Sequence, residues 1–181
     1  MNSPEQSSVS AGAANPFTGA DVQEILHEKD WLIGPASEEQ IAWCERAASY
    51  LGGHAADGEE LAKVLELIFH YDAQSILASV ESHAVLSRTA AREVLRQLAL
   101  QLLDGGALDS KLFKKIVTEL KEKFRFSGRE VFQPLRLALA GRAGEGELDR
   151  VILLLDEAAL AFDGKVKTVR ARIVEFCAAV D

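Results

Sequence analysis

Residues 110–141 read SKLFKKIVTELKEKFRFSGREVFQPLRLALAG, and the spacing within this stretch decides the fold class. At about 100° per residue, Leu112, Phe113, Ile116, Val117, Leu120 and Phe124 gather on one side of a helix. Lys111, Lys114, Lys115 and Lys121 share the other side. Ser127 with Glu130 three residues later forms a capping box for a second helix, Pro134 restarts or kinks it, and Gly141 stops it.

Working outward, the same period of three and four recurs and no alternating strand pattern interrupts it. Toward the N-terminus, Thr18 opens a helix reaching about Asp30, Gly34-Pro35 breaks it, and Ser37 with Gln40 caps another. Ile41, Cys44, Ala48 and Leu51 form its apolar face, and Gly52-Gly53 ends it. Asp57 and Glu60 begin a helix bearing Leu61, Val64, Leu65, Ile68 and Phe69. A short piece over Ala73–Val80 precedes a long helix from about Ser87 to Leu103, and Asp104-Gly105-Gly106 is the clearest break. Beyond Gly141, helices are expected over Leu148–Leu155 and Asp163–Val180. The last carries an apolar stripe of Val166, Val169, Ile173, Phe176, Cys177 and Val180, with Lys165, Lys167, Arg170 and Arg172 outside it. The expectation is an all-α, compact bundle of about seven to eight helices in two small subdomains.

Composition agrees with a packed domain: 181 residues, 48% hydrophobic, 27% charged and 7% aromatic. Apolar runs such as Val151–Leu155 are too short to span a bilayer, and the opening Ser/Ala/Gly segment lacks a signal-like apolar run. Residues 1–16, including the Ser-rich Ser3–Ser10, read as a flexible N-terminal tail on a cytoplasmic protein. Cys44 and Cys177 sit in apolar-periodic segments and read as small core residues.

Charge is distributed unequally. Residues 1–107 hold six Lys/Arg against sixteen Asp/Glu, a net of -10, whereas residues 108–181 hold fourteen against twelve, a net of +2. Within 110–142, nine basic residues face three acidic ones, a net of +6. Lys111, Lys114, Lys115, Lys121, Arg125, Arg129, Arg136 and Arg142 are the candidate RNA-binding residues there, with Lys123 as the ninth cation. Phe124, Phe126 and Phe132 are interleaved with them, which suits a single-stranded loop better than a smooth duplex. The competing reading is a solvated Lys-rich face with the phenylalanines in the core.

The longer run FKKIVTELKEKFRFSGREVFQPLRLALAGRAGEGELDRVILLLD, Phe113 to Asp156, resembles the C-terminal anticodon-binding domain of bacterial glutamyl-tRNA synthetase. The resemblance rests on Gly128-Arg129, on Pro134-Leu135-Arg136, on Ala138, Leu139 and Gly141, and on the Leu154-Leu155 pair. Ala140 stands where that family commonly has Thr, and Arg142–Gly146 is a looser version of its loop. The resemblance implies a helical bundle that holds an anticodon loop. Together with the charge count and the apolar stripe of the last helix, which extends past the resembling stretch, this gives an expected division into an acidic helical subdomain over 17–106 and an anticodon-binding-like subdomain over 107–181 ending in an amphipathic helix.

Signatures of chemistry are missing from the sequence. The HIGH-like and KMSKS-like segments with which the synthetases activate their amino acid are not present, nor is a phosphate-binding glycine loop. His27, His54, His70 and His83 occur singly, without metal-ligand spacing. His70-Tyr71-Asp72 offers an acid, a base and a phenol but no nucleophile. The expectation is therefore no catalytic residue, no metal and no cofactor. Its partner would be tRNA, with tRNA(Glu) the first candidate, together with a synthetase or another protein; neither membrane nor DNA is expected. Two readings stand: a stand-alone module that binds tRNA without aminoacylating it, and a helical protein–protein scaffold that no longer binds RNA. An RNA binder should expose its cations on one face, whereas a scaffold should spend them on salt bridges.

Overall fold

Side-chain caps set the helix starts. In the computed structural model, which describes residues 15–181, Thr18, Ser37 and Ser127 each form a full capping box, with Asp21, Gln40 and Glu130 returning the hydrogen bond. Asp57, Asp72, Ser79, Asp109 and Thr168 cap five more starts. The tail expected over 1–16 lies outside the described residues except for Asn15 and Pro16. The elements are α1 (Gly19–Glu28), α2 (Glu38–Leu51), α3 (Gly58–Phe69), α4 (Ala73–Leu77), α5 (Val80–Leu86), α6 (Thr89–Asp104), α7 (Ser110–Phe124), α8 (Gly128–Ala140), α9 (Glu147–Ala161) and α10 (Val169–Val180). A 3-10 turn follows α2 at Gly52–His54, and no strand occurs among the described residues.

The all-α class is as expected, with more helices than anticipated. The single piece expected over 73–80 is two helices, because Ser79 caps a new start and its hydroxyl meets Ser82 at 2.9 Å. α9 runs on to Ala161, well past Leu155. The last helix begins at Val169 rather than near Asp163: Asp163 and Gly164 both adopt positive φ, which breaks the helical path. α8 continues through Pro134 without restarting. Ile41, expected inside, is 38% exposed, and Trp43 takes the buried place instead.

One apolar cluster runs through the molecule, drawing on residues from both sides of the 106/107 boundary. α9 packs against α2, α3 and α8, while α10 packs against α4, α6, α8 and α9. Trp43 lies at the first junction: its indole N–H donates to the Leu154 carbonyl at 3.1 Å, and its ring meets Phe69 and Phe162 edge-on. Asp156 ties a second junction, accepting from the backbone N–H of Leu108 at 2.8 Å and of Val169 at 2.9 Å. These bonds fix the loop before α7 and the start of α10 to α9.

Arg172 corrects the sequence reading most sharply. Placed outside the apolar stripe by periodicity, it is fully buried. Its guanidinium donates to the carbonyls of Leu67 at 2.9 Å, Ile68 at 2.6 Å, Leu139 at 2.9 Å and Lys167 at 3.2 Å. Leu67, Ile68 and Leu139 lie in the last turns of α3 and α8, where orphan carbonyls and the helix dipole both favour a cation. The Tyr71 ring lies against the guanidinium at 4.5 Å, and its hydroxyl donates to the Ala138 carbonyl. Burial pushes the Arg172 guanidinium down to about 10, which leaves it charged at neutral pH.

Candidate nucleic-acid interface

α7, α8 and the turn between them carry the basic window. The apolar side of α7 is anchored by Ile116, Val117 and Leu120, all buried, which commits the opposite side to solvent. Lys111, Lys114, Lys115 and Lys123 are exposed there, as are Arg125 and Arg129 in the turn and at the start of α8, and Arg142 just past its end. Lys121 and Arg136 are half-buried. Arg125 ends α7 with φ 54 and ψ 32, a left-handed conformation more usual for glycine, at a cost of about 1 kcal/mol. The conformation places a cation at the negative end of the α7 dipole.

The cations are spent unequally. Arg136 forms a bidentate pair with Asp149 at 2.7 and 2.8 Å, and its third bonded nitrogen donates to the Gly144 carbonyl at 2.9 Å. Three of its five N–H donors are thereby used, and the side chain is held rigidly against the 142–146 loop. Lys115 pairs with Glu119 at 3.7 Å on the open surface, an interaction of about 0–1 kcal/mol that an incoming phosphate readily displaces. Among the described residues, Lys111, Lys114, Lys121, Lys123, Arg125, Arg129 and Arg142 form no salt bridge.

The three phenylalanines interleaved with the cations are half-buried, packing partly against the core and partly against the basic side chains. Lys121 lies 5.0 Å from the Phe132 ring centroid and Arg136 lies 4.5 Å from it. Phe124 and Phe126 stack on each other at 5.2 Å, with Lys123 5.5 Å from the Phe124 centroid. All three rings pack against the core. The rings remain partly exposed, and exposed Glu119 and Glu122 stand among the cations of α7. Two glutamines that a charge-based reading passes over complete the edge: Lys123 donates to Gln97 at 2.7 Å, and Arg88 donates to Gln133 at 2.5 Å.

Residues considered for other chemistry have structural partners. Asp72 caps α4, Tyr71 is engaged with Ala138, and the Trp31 indole N–H donates to His70 at 3.3 Å. Burial pushes the Cys44 thiol up to about 12 and raises that of Cys177, which makes both poor nucleophiles. Among the described residues no group of acidic, histidine or cysteine side chains is arranged to hold a metal, and no helix is long and apolar enough to cross a membrane.

Comparison with known proteins bears on this surface. A family model described as an anticodon binding domain matches residues 16–159, which takes in the whole basic window. The glutamate–tRNA ligase of Bacillus cytotoxicus is 26% identical over 121 residues, covering 66% of this chain and 24% of the relative. A glutamate–tRNA ligase 2 of Bartonella bacilliformis is 30% identical over 134 residues, covering 72% and 27%, and one of Coxiella burnetii is 32% identical over 93 residues, covering 49% and 18%. The chain therefore spans about a quarter or less of these curated relatives. No solved structure gives a significant match.

Proposed function

This chain belongs to the anticodon-binding domain family, and from that premise we propose that it binds the anticodon arm of a tRNA through α7 and α8 and performs no aminoacylation itself. The observation that carries the proposal is the state of the cations: most of the window remains solvent-exposed and free of carboxylates, as a phosphate-binding face requires and a scaffold does not. Lys111, Lys114, Lys115, Lys121, Arg125, Arg129 and Arg142 take phosphates. Arg136, already clamped by Asp149, presents its two remaining N–H donors from a fixed position beside the 142–146 loop. Because the named relatives are glutamate–tRNA ligases, tRNA(Glu) is the first candidate ligand, and a synthetase acting alongside in the cytoplasm is the corresponding protein partner. In this reading residues 17–106 form the acidic support and residues 107–181 the RNA-binding part.

The test is a binding titration with a tRNA(Glu) anticodon stem-loop and with an unrelated hairpin of equal length. Preference for the former supports the proposal. Absence of binding to either at low salt rejects it and favours the second reading, a protein-interaction scaffold. The observation favouring that alternative is a cleft in whose lining Leu160 is 83% exposed, over the buried Leu102, Leu108, Val166 and Val169.

A further inference from the structure

The basic surface does not begin where the sequence breaks at Gly105-Gly106. Residues 1–87 hold three Lys/Arg against fourteen Asp/Glu, so the change of sign falls at Arg88, the N-cap position of α6. Of the six basic residues before position 107, three are Arg88, Arg92 and Arg96, spaced by four. Arg46 and Lys63, by contrast, are tied to Glu157 and Glu59 at 3.0 and 2.9 Å.

Resting on the tRNA-binding reading above, we propose that Arg88, Arg92 and Arg96 form a second set of phosphate contacts, a ridge along α6 that follows the backbone of the same RNA. Four observations support the ridge. All three side chains are exposed, and none forms a salt bridge among the described residues. Spacing by four sets them about 6 Å apart along the helix axis, commensurate with successive phosphates on a strand. All three are arginine, whose planar fork grips phosphate oxygens two at a time. The first member of the ridge meets the α8 surface: Arg88 donates to Gln133, which lies one turn beyond Arg129 on α8 and on the same side of it, while Arg92 and Arg96 continue the row toward the end of α10. Glu93 interrupts the row, and Glu93 and Asp181 line the cleft beside Arg92 and Arg96 without pairing with them. Glu130 of α8 also lies close enough to Arg88 to be acted on by its charge, again without a salt bridge.

The experiment compares wild-type protein, an Arg88→Gln/Arg92→Gln/Arg96→Gln variant and a Lys111→Ala/Lys114→Ala/Lys115→Ala variant. Each is titrated with a tRNA(Glu) anticodon stem-loop across a range of salt. Three lost phosphate contacts should reduce the magnitude of the log–log salt slope by about 2, at roughly 0.7 per contact on single-stranded RNA. Arg→Lys replacement at the same three positions should restore most of it, since the charge is kept. The single Arg92→Gln variant, with a slope change of about 0.7, gives the same test with minimal disturbance of the helix. An unchanged slope in the α6 variant alongside a flattened slope in the α7 variant overturns the ridge and leaves α7 and α8 as the interface. Failure of the wild-type protein to bind overturns both.

Discussion

A buried arginine without a carboxylate shows how far one residue can depart from its sequence pattern. Arg172 is stable inside because α3 and α8 direct their C-terminal carbonyls at it, and that convergence comes from tertiary packing rather than from any local spacing. Arg172→Met would fill the space but leave the Leu67, Ile68 and Leu139 carbonyls unpaired. A loss of about 3 kcal/mol or more is expected, read from the urea unfolding midpoint. Tyr71→Phe removes one donor to Ala138 and should cost about 1 kcal/mol by the same measurement. Acid should weaken the fold through a different set of residues. Hydrogen bonds from Thr18 and Ser127 hold the Asp21 and Glu130 carboxyls below their usual range. For Glu175 burial acts upward, but the bonds from Lys167 and the Ala73 N–H prevail and lower it. Groups lowered in the folded state stabilise it fully above the ordinary carboxylate range and lose that contribution as pH falls through their lower folded values. Urea midpoints should therefore be level near pH 7 and decline below about pH 4, and Asp21→Asn with Glu130→Gln should make the decline shallower.

For most of the helices, existence and starts were readable because both are local; α5 and the start of α10 were the exceptions. The boxes Thr18/Asp21, Ser37/Gln40 and Ser127/Glu130 are written within four residues, and Gly141 marks the end of α8 with a φ of 83. Ser127→Ala should lower stability by about 1 kcal/mol. Gly141→Ala should cost about 1–2 kcal/mol, since its φ disfavours any Cβ and that Cβ would sit 3.3 Å from Ile76 Cδ1. Thermal melts of the two variants check both. What stayed hidden was helix length and partner. Nothing local distinguishes a helix beginning at Asp163 from one capped by Thr168, because the apolar stripe continues through Val166, which is buried from the loop. Likewise, Phe132 is apolar at a helical position under either reading of the window. Only its contacts with Lys121 and Arg136 identify it as a ring that positions cations.

Across the whole molecule, shape and charge follow different divisions. The core is continuous through α9 and α10, whereas charge divides the chain at Arg88, with a net of -11 up to residue 87 and +3 from there on. The 110–142 window was legible because its cations are contiguous in sequence. The α6 arginines were not, because a net count to residue 107 averages them with the acidic residues before them. On the proposed function, this distribution turns the cations toward the RNA while the acidic part repels it, which favours orientation as well as attachment. The most direct test of the account is the salt dependence of affinity for a tRNA(Glu) anticodon stem-loop, measured for wild-type protein and for Lys111→Ala/Lys114→Ala/Lys115→Ala. The account predicts a log–log slope of about -5 or steeper for the wild type, from seven phosphate contacts at roughly 0.7 each, reduced in magnitude by about 2 in the variant. A slope near zero, or an unchanged slope in the variant, would contradict it.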